Sequence, residues 1–250
     1  GASATAGFTV MPAAQAASFL ELVNRVAVPK GARWLFLGDS LTANFPGRNY
    51  VSLLERAFRW RFGGAVEVIN AGIGGNTIAA MAARLERDVL AREPTHVFVF
   101  EGANSCKRHF NAATGQMGGW ALPESKYEEA WREVLSRLAE RKIAIVIMTM
   151  APGDRAIQAM FESTARAFGE SKNFWCEPEP VAQVVALQKK LAAAYGATVI
   201  DTHAWLSDRM QEQARIPGAH QMHVDDGVHL SEYGSVEVAR AVLTAAAAWR

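Results

Sequence analysis

Five short apolar runs recur along the chain, and longer amphipathic stretches separate them. The runs occupy positions 34–37, 66–69, 96–100, 143–150 and 198–201. The stretches between them carry apolar residues at helical spacing, as in Val51, Leu54 and Phe58. Short continuous apolar runs are typical of strands that are buried on both faces. The pattern therefore predicts five buried strands that alternate with helices.

This alternation predicts an α/β fold. Strands that are joined by helices pair in parallel, and right-handed crossovers place the helices on both faces of the sheet. We expect a three-layer α/β/α sandwich with a five-stranded parallel sheet, of the flavodoxin-like kind. The helices are predicted over 50–62, 78–90, 125–141, 157–168, 181–195 and 232–249.

No break in composition divides the chain into two large domains. Residues 1–29 are predicted to form an N-terminal extension with one amphipathic helix over 14–26, and residues 30–250 a single domain. We expect long loops over 105–124 and, apart from one helical piece, over 152–180.

Local signals also predict where two helices begin and where one further loop lies. Thr77 or Asn76 is expected to cap the helix over 78–90, because both side chains accept hydrogen bonds from helix N–H groups. Ser125 and Glu128 have the spacing of a capping box for the following helix. The chain from His203 onward is expected to be a loop at the end of the last strand.

Composition and charge exclude several classes of function. The chain is 50% apolar and 20% charged, with a formal net charge of +1. It has no basic run of the kind that binds nucleic acid, and its apolar stretches are too short to span a bilayer. Cys106 and Cys176 lack metal-ligand spacing, so no metal site is expected. The two cysteines are either two buried thiols or one disulfide, and the sequence does not distinguish these alternatives.

The N-terminal residues bear on localisation. The chain starts with Gly1 rather than methionine. A removed signal peptide would explain this start and favours an exported, periplasmic or extracellular protein. Other trimming of the N-terminus leaves a cytoplasmic protein as the alternative. The oligomeric state stays open.

Candidate chemistry begins at the end of the first predicted strand, where the run GDSL occupies positions 38–41. Open parallel sheets bind ligands at the carboxyl ends of their strands. A serine between a strand and a helix exposes its hydroxyl and directs its own N–H towards an incoming oxyanion. Ser40 is therefore a candidate nucleophile. The alternative is that Ser40 or Asp39 only caps a helix.

The next two strand ends carry candidate hydrogen-bond donors. The glycine-rich run at 70–77 lacks the spacing of a phosphate loop, and its useful interpretation is an oxyanion donor from the Gly75 N–H. The Asn104 amide, just past the third strand, is a further candidate donor. A tight turn and an Asx-turn are the corresponding structural alternatives.

Near the C-terminus, Asp226 and His229 are three residues apart. At this spacing the carboxylate can accept from one ring nitrogen while the other nitrogen faces a nucleophile, as a Ser-His-Asp triad requires. A loop salt bridge is the alternative. His223 is a loop histidine that could line the mouth of the same pocket.

The four blocks, in this order, resemble the SGNH hydrolase superfamily, also called the GDSL esterase/lipase family, over residues 34–249. The resemblance implies Ser40 as nucleophile, His229 as general base and Asp226 as its orienting partner. It further implies an oxyanion hole formed by the N–H groups of Ser40 and Gly75 and by the Asn104 amide. It implies no cofactor and no metal.

One position departs from the family pattern. The third block usually reads Gly-x-Asn-Asp, whereas Ser105 follows Asn104 here. The missing carboxylate normally supports the loop, so the resemblance specifies the orientation of the Asn104 side chain less firmly than the role of Ser40.

The expected activity is hydrolysis of an ester through an acyl-enzyme. The expected partner is a small-molecule ester with a short acyl group on a polar molecule, such as an acetylated saccharide, because the flanking loops hold charged residues such as Lys107 and Asp154 and few long aliphatic runs. A broad short-chain esterase, thioesterase or lysophospholipase is the alternative, followed by a non-catalytic binding domain of the same fold. Trp120, Phe174 and Trp175 could stack on a sugar, although local packing is the simpler role.

Overall fold

A computed structural model of the protein describes residues 13–44 and 48–249. Its strands are β1 (Arg33–Gly38), β2 (Glu67–Gly72), β3 (His96–Phe100), β4 (Arg108–Asn111), β5 (Gln116–Trp120), β6 (Ala144–Met148), β7 (Lys172–Phe174) and β8 (Thr198–Ile200). Its α-helices are α1 (Ala13–Arg25), α2 (Ser40–Ala43), α3 (Tyr50–Phe62), α4 (Ile78–Ala83), α5 (Leu85–Asp88), α6 (Ala103–Cys106), α7 (Glu124–Glu140), α8 (Arg155–Phe168), α9 (Pro178–Tyr195), α10 (Thr202–Gln213) and α11 (Glu232–Ala246).

The central sheet has five parallel strands in the order β2-β1-β3-β6-β8. These are the five strands that the apolar runs predict, so the predicted parallel α/β sandwich is confirmed. Gly38 at the end of β1 pairs with Gly72 of β2 and with Phe100 of β3. The carboxyl ends of three neighbouring strands therefore meet at one edge of the sheet.

Alternate residues of β1 face two separate hydrophobic layers. Trp34 and Phe36 pack in the layer that contains α1, α3 and α11, whereas Leu35 and Leu37 pack in the layer that contains α4, α7 and α9. Side chains of a strand alternate between its faces, so a strand covered on both faces is apolar throughout. This double burial, which β3 and β6 share, explains why the inner strands are recognisable from sequence, whereas the edge strands β2 and β8 are more exposed than the prediction of five buried strands required.

The N-terminal helix packs onto the main body of the protein. Phe19 and Val23 of α1 are fully buried among residues of α3 and α11. The helix itself lies where the amphipathic pattern predicts it. The proposed boundary between residues 29 and 30 stays a prediction, and residues 1–12 lie outside the described residues.

A second, antiparallel sheet lies in the two stretches that were predicted as long loops. It has the order β5-β4-β7, with Phe110 of β4 opposite Lys172 of β7. The loop prediction is therefore wrong for these segments. The strands are short and half exposed, and β4 and β7 are far apart in sequence, so their pairing leaves no local apolar period.

Two helical predictions need correction. The predicted capping box is wrong, because α7 begins at Glu124 with Pro123 in the N-cap position and no capping side chain. The chain after β8 forms helix α10 rather than a loop, although only Thr202 and Leu206 of it are buried, which explains its weak signal.

The helix predicted over 78–90 begins as expected and then breaks. Thr77 caps α4, because its hydroxyl accepts from the Ala80 N–H. The segment then divides into α4, α5 and a short 3₁₀ turn. At the first break the buried Arg84 turns inwards and donates to the Gly38 carbonyl and to the Asn76 side chain. The break therefore ties this segment to the end of β1.

Candidate active site

Asp39 and Ser40 have different roles, which the sequence could not assign: one residue caps a helix and the other is the candidate nucleophile. The Asp39 side chain caps α2, since its Oδ1 accepts from the Leu41 N–H over 2.9 Å. Ser40 is the first residue of that helix, and its Oγ lies 2.9 Å from Nε2 of His229. The cap and the candidate nucleophile are thus neighbouring residues, and the Ser40 hydroxyl is directed at an imidazole.

Two glycines let α2 lie directly against the ends of β1 and β2. A Cβ on Gly38 would come 2.1 Å from Oγ1 of Thr42, and a Cβ on Gly72 would come 2.5 Å from the Ala43 nitrogen. Any larger residue would collide with the short helix that carries Ser40. The sequence requirement for glycine at these strand ends is therefore steric.

Asp226 holds the other nitrogen of the same imidazole. Its Oδ2 lies 2.5 Å from Nδ1 of His229, and its Oδ1 accepts from the N–H groups of Val228 and His229. Partial burial by itself would raise the pKa of Asp226, but these hydrogen bonds lower it below the ordinary value. Asp226 therefore stays ionised beside His229.

Gln158 of α8 fixes the backbone around Asp226. Its Nε2 donates to the Asp226 carbonyl over 2.6 Å, and its Oε1 accepts from the Trp175 N–H over 3.3 Å. A single buried amide thereby joins the loop with the acid to the segment that follows β7. The residue pattern of α8 gave no sign of this role.

The predicted oxyanion donors line the same cavity as Ser40. Gly75 has a positive φ of 77°, a conformation that favours glycine, and Asn104 is 8% exposed at the start of α6. Within residues 13–44 and 48–249 the N–H groups of Ser40 and Gly75 donate no hydrogen bond. Both are free to donate to a ligand oxygen.

Asn104 is oriented by Asp39. Its Nδ2 donates to Oδ2 of Asp39 over 3.3 Å. Burial raises the pKa of Asp39 to about 6, against the lowering effect of the Leu41 N–H, the His229 charge and the Asn104 amide. The Asp39 carboxylate thus gives Asn104 a support other than the family's usual aspartate.

Ser105 and Glu101 form a buried pair behind Asn104. The Ser105 hydroxyl donates to Oε1 of Glu101, and the Ile78 N–H lies 3.3 Å from the same hydroxyl. Glu101 is 2% exposed, and burial raises its pKa to about 8. Where the family pattern has an aspartate, this chain therefore has a serine that is bonded to a protonated carboxyl four residues earlier.

Ser40 and His229 open into a cavity of about 520 Å³. The cavity is also lined by Phe161 of α8, by Lys172 of β7, and by Lys107 and Trp175, which directly precede β4 and follow β7. Phe161 and Lys172 were not predicted from the sequence, because they reach this cavity only in the folded chain, where β7 pairs with β4 and α8 packs beside β7. Trp175 lines the cavity, as one of its two proposed roles requires.

Other candidate residues lie elsewhere. His223 is buried and its Nε2 contacts the Pro152 carbonyl at 2.8 Å, so the idea that it lines the pocket mouth is wrong. Trp120 packs against Tyr127, and Phe174 is buried with Phe110. Cys106 and Cys176 are both buried free thiols.

Two kinds of feature are absent from residues 13–44 and 48–249. No described helix combines the length and the apolar character needed to cross a bilayer. No three His, Cys, Asp or Glu side chains in this part of the chain are grouped as metal ligands would be.

Residues 36–235 match the GDSL-like lipase/acylhydrolase family. Because this match covers well over half of the chain, the protein belongs to that family, within the SGNH hydrolase superfamily. The family assignment made from the four sequence blocks is confirmed.

Individual relatives share between 20% and 29% of their residues with this chain over the matched regions. An acetylxylan esterase from Geobacillus stearothermophilus is 29% identical over 137 residues, which is 49% of this chain and 61% of that relative. This match therefore spans less than two thirds of the relative's length. Among solved structures, a lipase/acylhydrolase from Enterococcus faecalis has a TM-score of 0.61 at 20% identity, over 85% of this chain and 94% of its own.

A second solved structure, the acetyl xylan esterase AlAXEase, has a TM-score of 0.64 at 23% identity, over 85% of this chain and 98% of its own. At such identities the likeness establishes the fold.

Proposed function

We propose that the protein is a serine esterase that removes short acyl groups, acetyl above all, from a carbohydrate or another polar molecule. The observation that carries this proposal is the continuous hydrogen-bond chain from Ser40 through His229 to Asp226, with distances of 2.9 and 2.5 Å. A serine hydroxyl, an imidazole and a carboxylate in this order are the parts of a nucleophilic triad.

The first half of the reaction forms an acyl-enzyme. Ser40 Oγ attacks the ester carbonyl and its proton passes to Nε2 of His229, while Asp226 holds the ring and stabilises the imidazolium. The N–H groups of Ser40 and Gly75 and the Asn104 amide donate to the oxyanion. The tetrahedral intermediate collapses when the C–O bond breaks and the leaving alcohol takes the proton from His229.

The second half regenerates the enzyme. His229 removes a proton from water as the water oxygen attacks the acyl carbon. The acyl–Ser40 bond then breaks, the carboxylic acid leaves, and the proton on His229 returns to the Ser40 oxygen. The three side chains thus account for the nucleophile and for every proton transfer of the proposed reaction.

The substrate class is supported by the cavity and by the relatives. The cavity combines the Trp175 ring with charged and amide side chains, which suits a polar molecule with one flat face. Two of the relatives described above are named as acetylxylan esterases. Longer acyl esters, thioesters and lysophospholipids define the alternative specificity.

The test uses a Ser40→Ala variant beside Ser163→Ala, a serine on the exposed side of α8. We expect wild type and Ser163→Ala to react with a fluorophosphonate probe and to hydrolyse 4-nitrophenyl acetate. Ser40→Ala should do neither while keeping the wild-type circular dichroism spectrum. A folded Ser40→Ala protein that keeps most of the esterase activity would exclude the triad, and a wild type that does not react would indicate a binding domain.

Substrate class is measured separately with a panel of wild-type assays. The panel comprises 4-nitrophenyl esters of increasing acyl length, acetylated xylo-oligosaccharides, an acetyl thioester and a lysophospholipid. We expect kcat/KM to be highest for acetyl esters. A maximum at long acyl chains, or a preference for the thioester, would replace the acetyl assignment and leave the triad in place.

A further inference from the structure

Two lysines line the cavity that contains the candidate triad. Lys107 follows α6 and Lys172 begins β7, and both line the cavity together with Ser40 and His229. Both residues are half-buried. Their placement depends on the small sheet, in which β4, directly after Lys107, pairs with β7.

Aromatic rings hold both ammonium groups in place. Lys107 Nζ lies 5.7 Å from the centre of the Trp175 ring, and Lys172 Nζ lies 4.2 Å from the centre of the Phe161 ring. A cation above an aromatic face is attracted by the ring without being neutralised. The two ammonium groups therefore lie against aromatic rings, which attract a cation without supplying an opposite charge.

Neither ammonium group has an anionic partner in the part of the chain that the structure describes. Among the described residues no carboxylate lies within 4.0 Å of Lys107 or Lys172. Elsewhere Lys126, Lys189 and Lys190 each contact an acidic side chain. Lys107 and Lys172 thus differ from these three lysines, because their ammonium groups can bind a negatively charged ligand without first breaking an ion pair.

The carboxylates of the cavity are already engaged at its catalytic end. Asp39 accepts from the Leu41 N–H and from Asn104, and Asp226 accepts from His229 and two backbone N–H groups. The two acidic side chains of the cavity are therefore already hydrogen-bonded, whereas its two lysines contact no carboxylate of the described residues. A half-buried positive charge without a partner favours a negatively charged ligand.

We propose that Lys107 and Lys172 form an anion-binding subsite that selects esters whose alcohol portion carries a negative charge, with an acidic acetylated saccharide as the favoured class. The inference rests on the proposed esterase function. The acyl group lies at Ser40, the sugar ring contacts Trp175, and the anionic group lies between the two ammonium groups. The subsite would bind a negatively charged group, and either a carboxylate or a phosphate on the sugar could be that group.

Selectivity is measured on matched substrates. The first pair is 4-nitrophenyl acetate and its 3-carboxy derivative, and the second is an acetylated uronic-acid oligosaccharide and the same compound with its carboxyl groups reduced to alcohols. An acetylated sugar phosphate distinguishes the two sources of the anion. The readout is the ratio of kcat/KM for the anionic member to that for the neutral member.

Wild type should favour the anionic member of each pair, and added NaCl should reduce that preference because salt screens the attraction. Lys107→Met and Lys172→Met keep an unbranched side chain that is one atom shorter and uncharged, and each should lower the ratio by about tenfold. Lys107→Arg and Lys172→Arg should keep most of the preference. Lys30→Gln, at the opposite end of β1, removes a lysine charge far from the cavity and should keep the wild-type ratio.

The outcomes separate this inference from the function on which it rests. If wild type hydrolyses both members of each pair with a ratio near one, the anion subsite is wrong and the esterase proposal stands. The same conclusion follows if the methionine variants keep the wild-type ratio. If wild type hydrolyses no ester at all, the proposed function itself has failed.

Discussion

The Asp39 carboxylate accepts a hydrogen bond from the Asn104 amide over 3.3 Å and so joins the loop after β1 to the loop after β3. Asp39 also caps the helix that begins with Ser40. One buried carboxylate therefore orients a residue on each side of the reaction centre: the proposed nucleophile and the proposed oxyanion donor.

Asp39→Asn tests this relationship. Asparagine caps helices as well as aspartate does, so α2 should keep its position. The new amide nitrogen would face the Asn104 amide nitrogen, and two donors repel each other. We expect kcat to fall by about 10- to 100-fold with little change in KM, since an oxyanion donor acts in the transition state.

A double-mutant cycle with Asn104→Ala shows whether Asp39 acts through Asn104. If it does, the combined variant should be little worse than Asn104→Ala alone. Fully additive losses would contradict the proposed positioning role.

Asp226→Asn tests the acid of the triad. The substituted amide would favour the tautomer of His229 that carries its proton on Nε2 and cannot accept from Ser40. We expect kcat to fall by about 10³- to 10⁴-fold, measured with 4-nitrophenyl acetate. Asp225→Asn is the matched control, because it makes the same charge change on the exposed neighbouring residue. Equal losses in both variants would argue for a general charge effect and against a specific role of Asp226.

Glu101→Gln should change how stability depends on pH. The Glu101 carboxyl titrates near its ordinary value of 4.5 in the unfolded chain and at about 8 in the folded protein. Between these values the folded state binds one more proton, so the free energy of unfolding falls as pH rises, by up to about 1.4 kcal/mol per pH unit. Glutamine cannot ionise, so the free energy of unfolding of the variant should not show this fall with rising pH.

Urea unfolding of wild type, Glu101→Gln and Glu140→Gln between pH 5 and 8 measures the effect. Glu140 is exposed at the end of α7. Its variant should follow wild type, whereas Glu101→Gln should gain stability relative to wild type as pH rises. Parallel curves for all three proteins would contradict a buried, protonated Glu101.

Gly72→Ala should disturb the helix that carries Ser40. Its Cβ would come 2.5 Å from the Ala43 nitrogen and 2.8 Å from the Thr42 carbonyl carbon, and backbone atoms cannot rotate away. We expect a loss of about 1–3 kcal/mol in the free energy of unfolding, together with a lower kcat, because α2 must move.

Gly119→Ala is the control for this change, since a Cβ there meets nothing within 4 Å. Thermal denaturation and the esterase assay measure both variants. If Gly72→Ala matches Gly119→Ala in both measurements, the close approach of α2 to β2 does not restrict this position.

The three inner strands of the parallel sheet, β1, β3 and β6, were predictable because they are buried on both faces, whereas the edge strands β2 and β8 are more exposed. Trp34, Leu35, Phe36 and Leu37 are nearly or fully buried, so the strand is apolar without interruption and stands out in one short window. The pairing of Asp226 with His229 was predictable for a similar reason, since the two residues are close in sequence. The chemical roles of these residues and of Ser40, Gly75 and Asn104 stay predictions until the variants are measured.

The sequence by itself determined the five-strand alternation, the order of the four motifs and the family to which the chain belongs. Only the tertiary structure decided which of the residues Asp39 and Ser40 caps α2, what supports Asn104 in place of the family aspartate, and which side chains face the triad. Lys107, Phe161, Lys172 and Trp175 meet because β4 and β7 pair across a long separation in sequence. Local periodicity carries no information on such a pairing, and backbone hydrogen bonding between distant segments creates it.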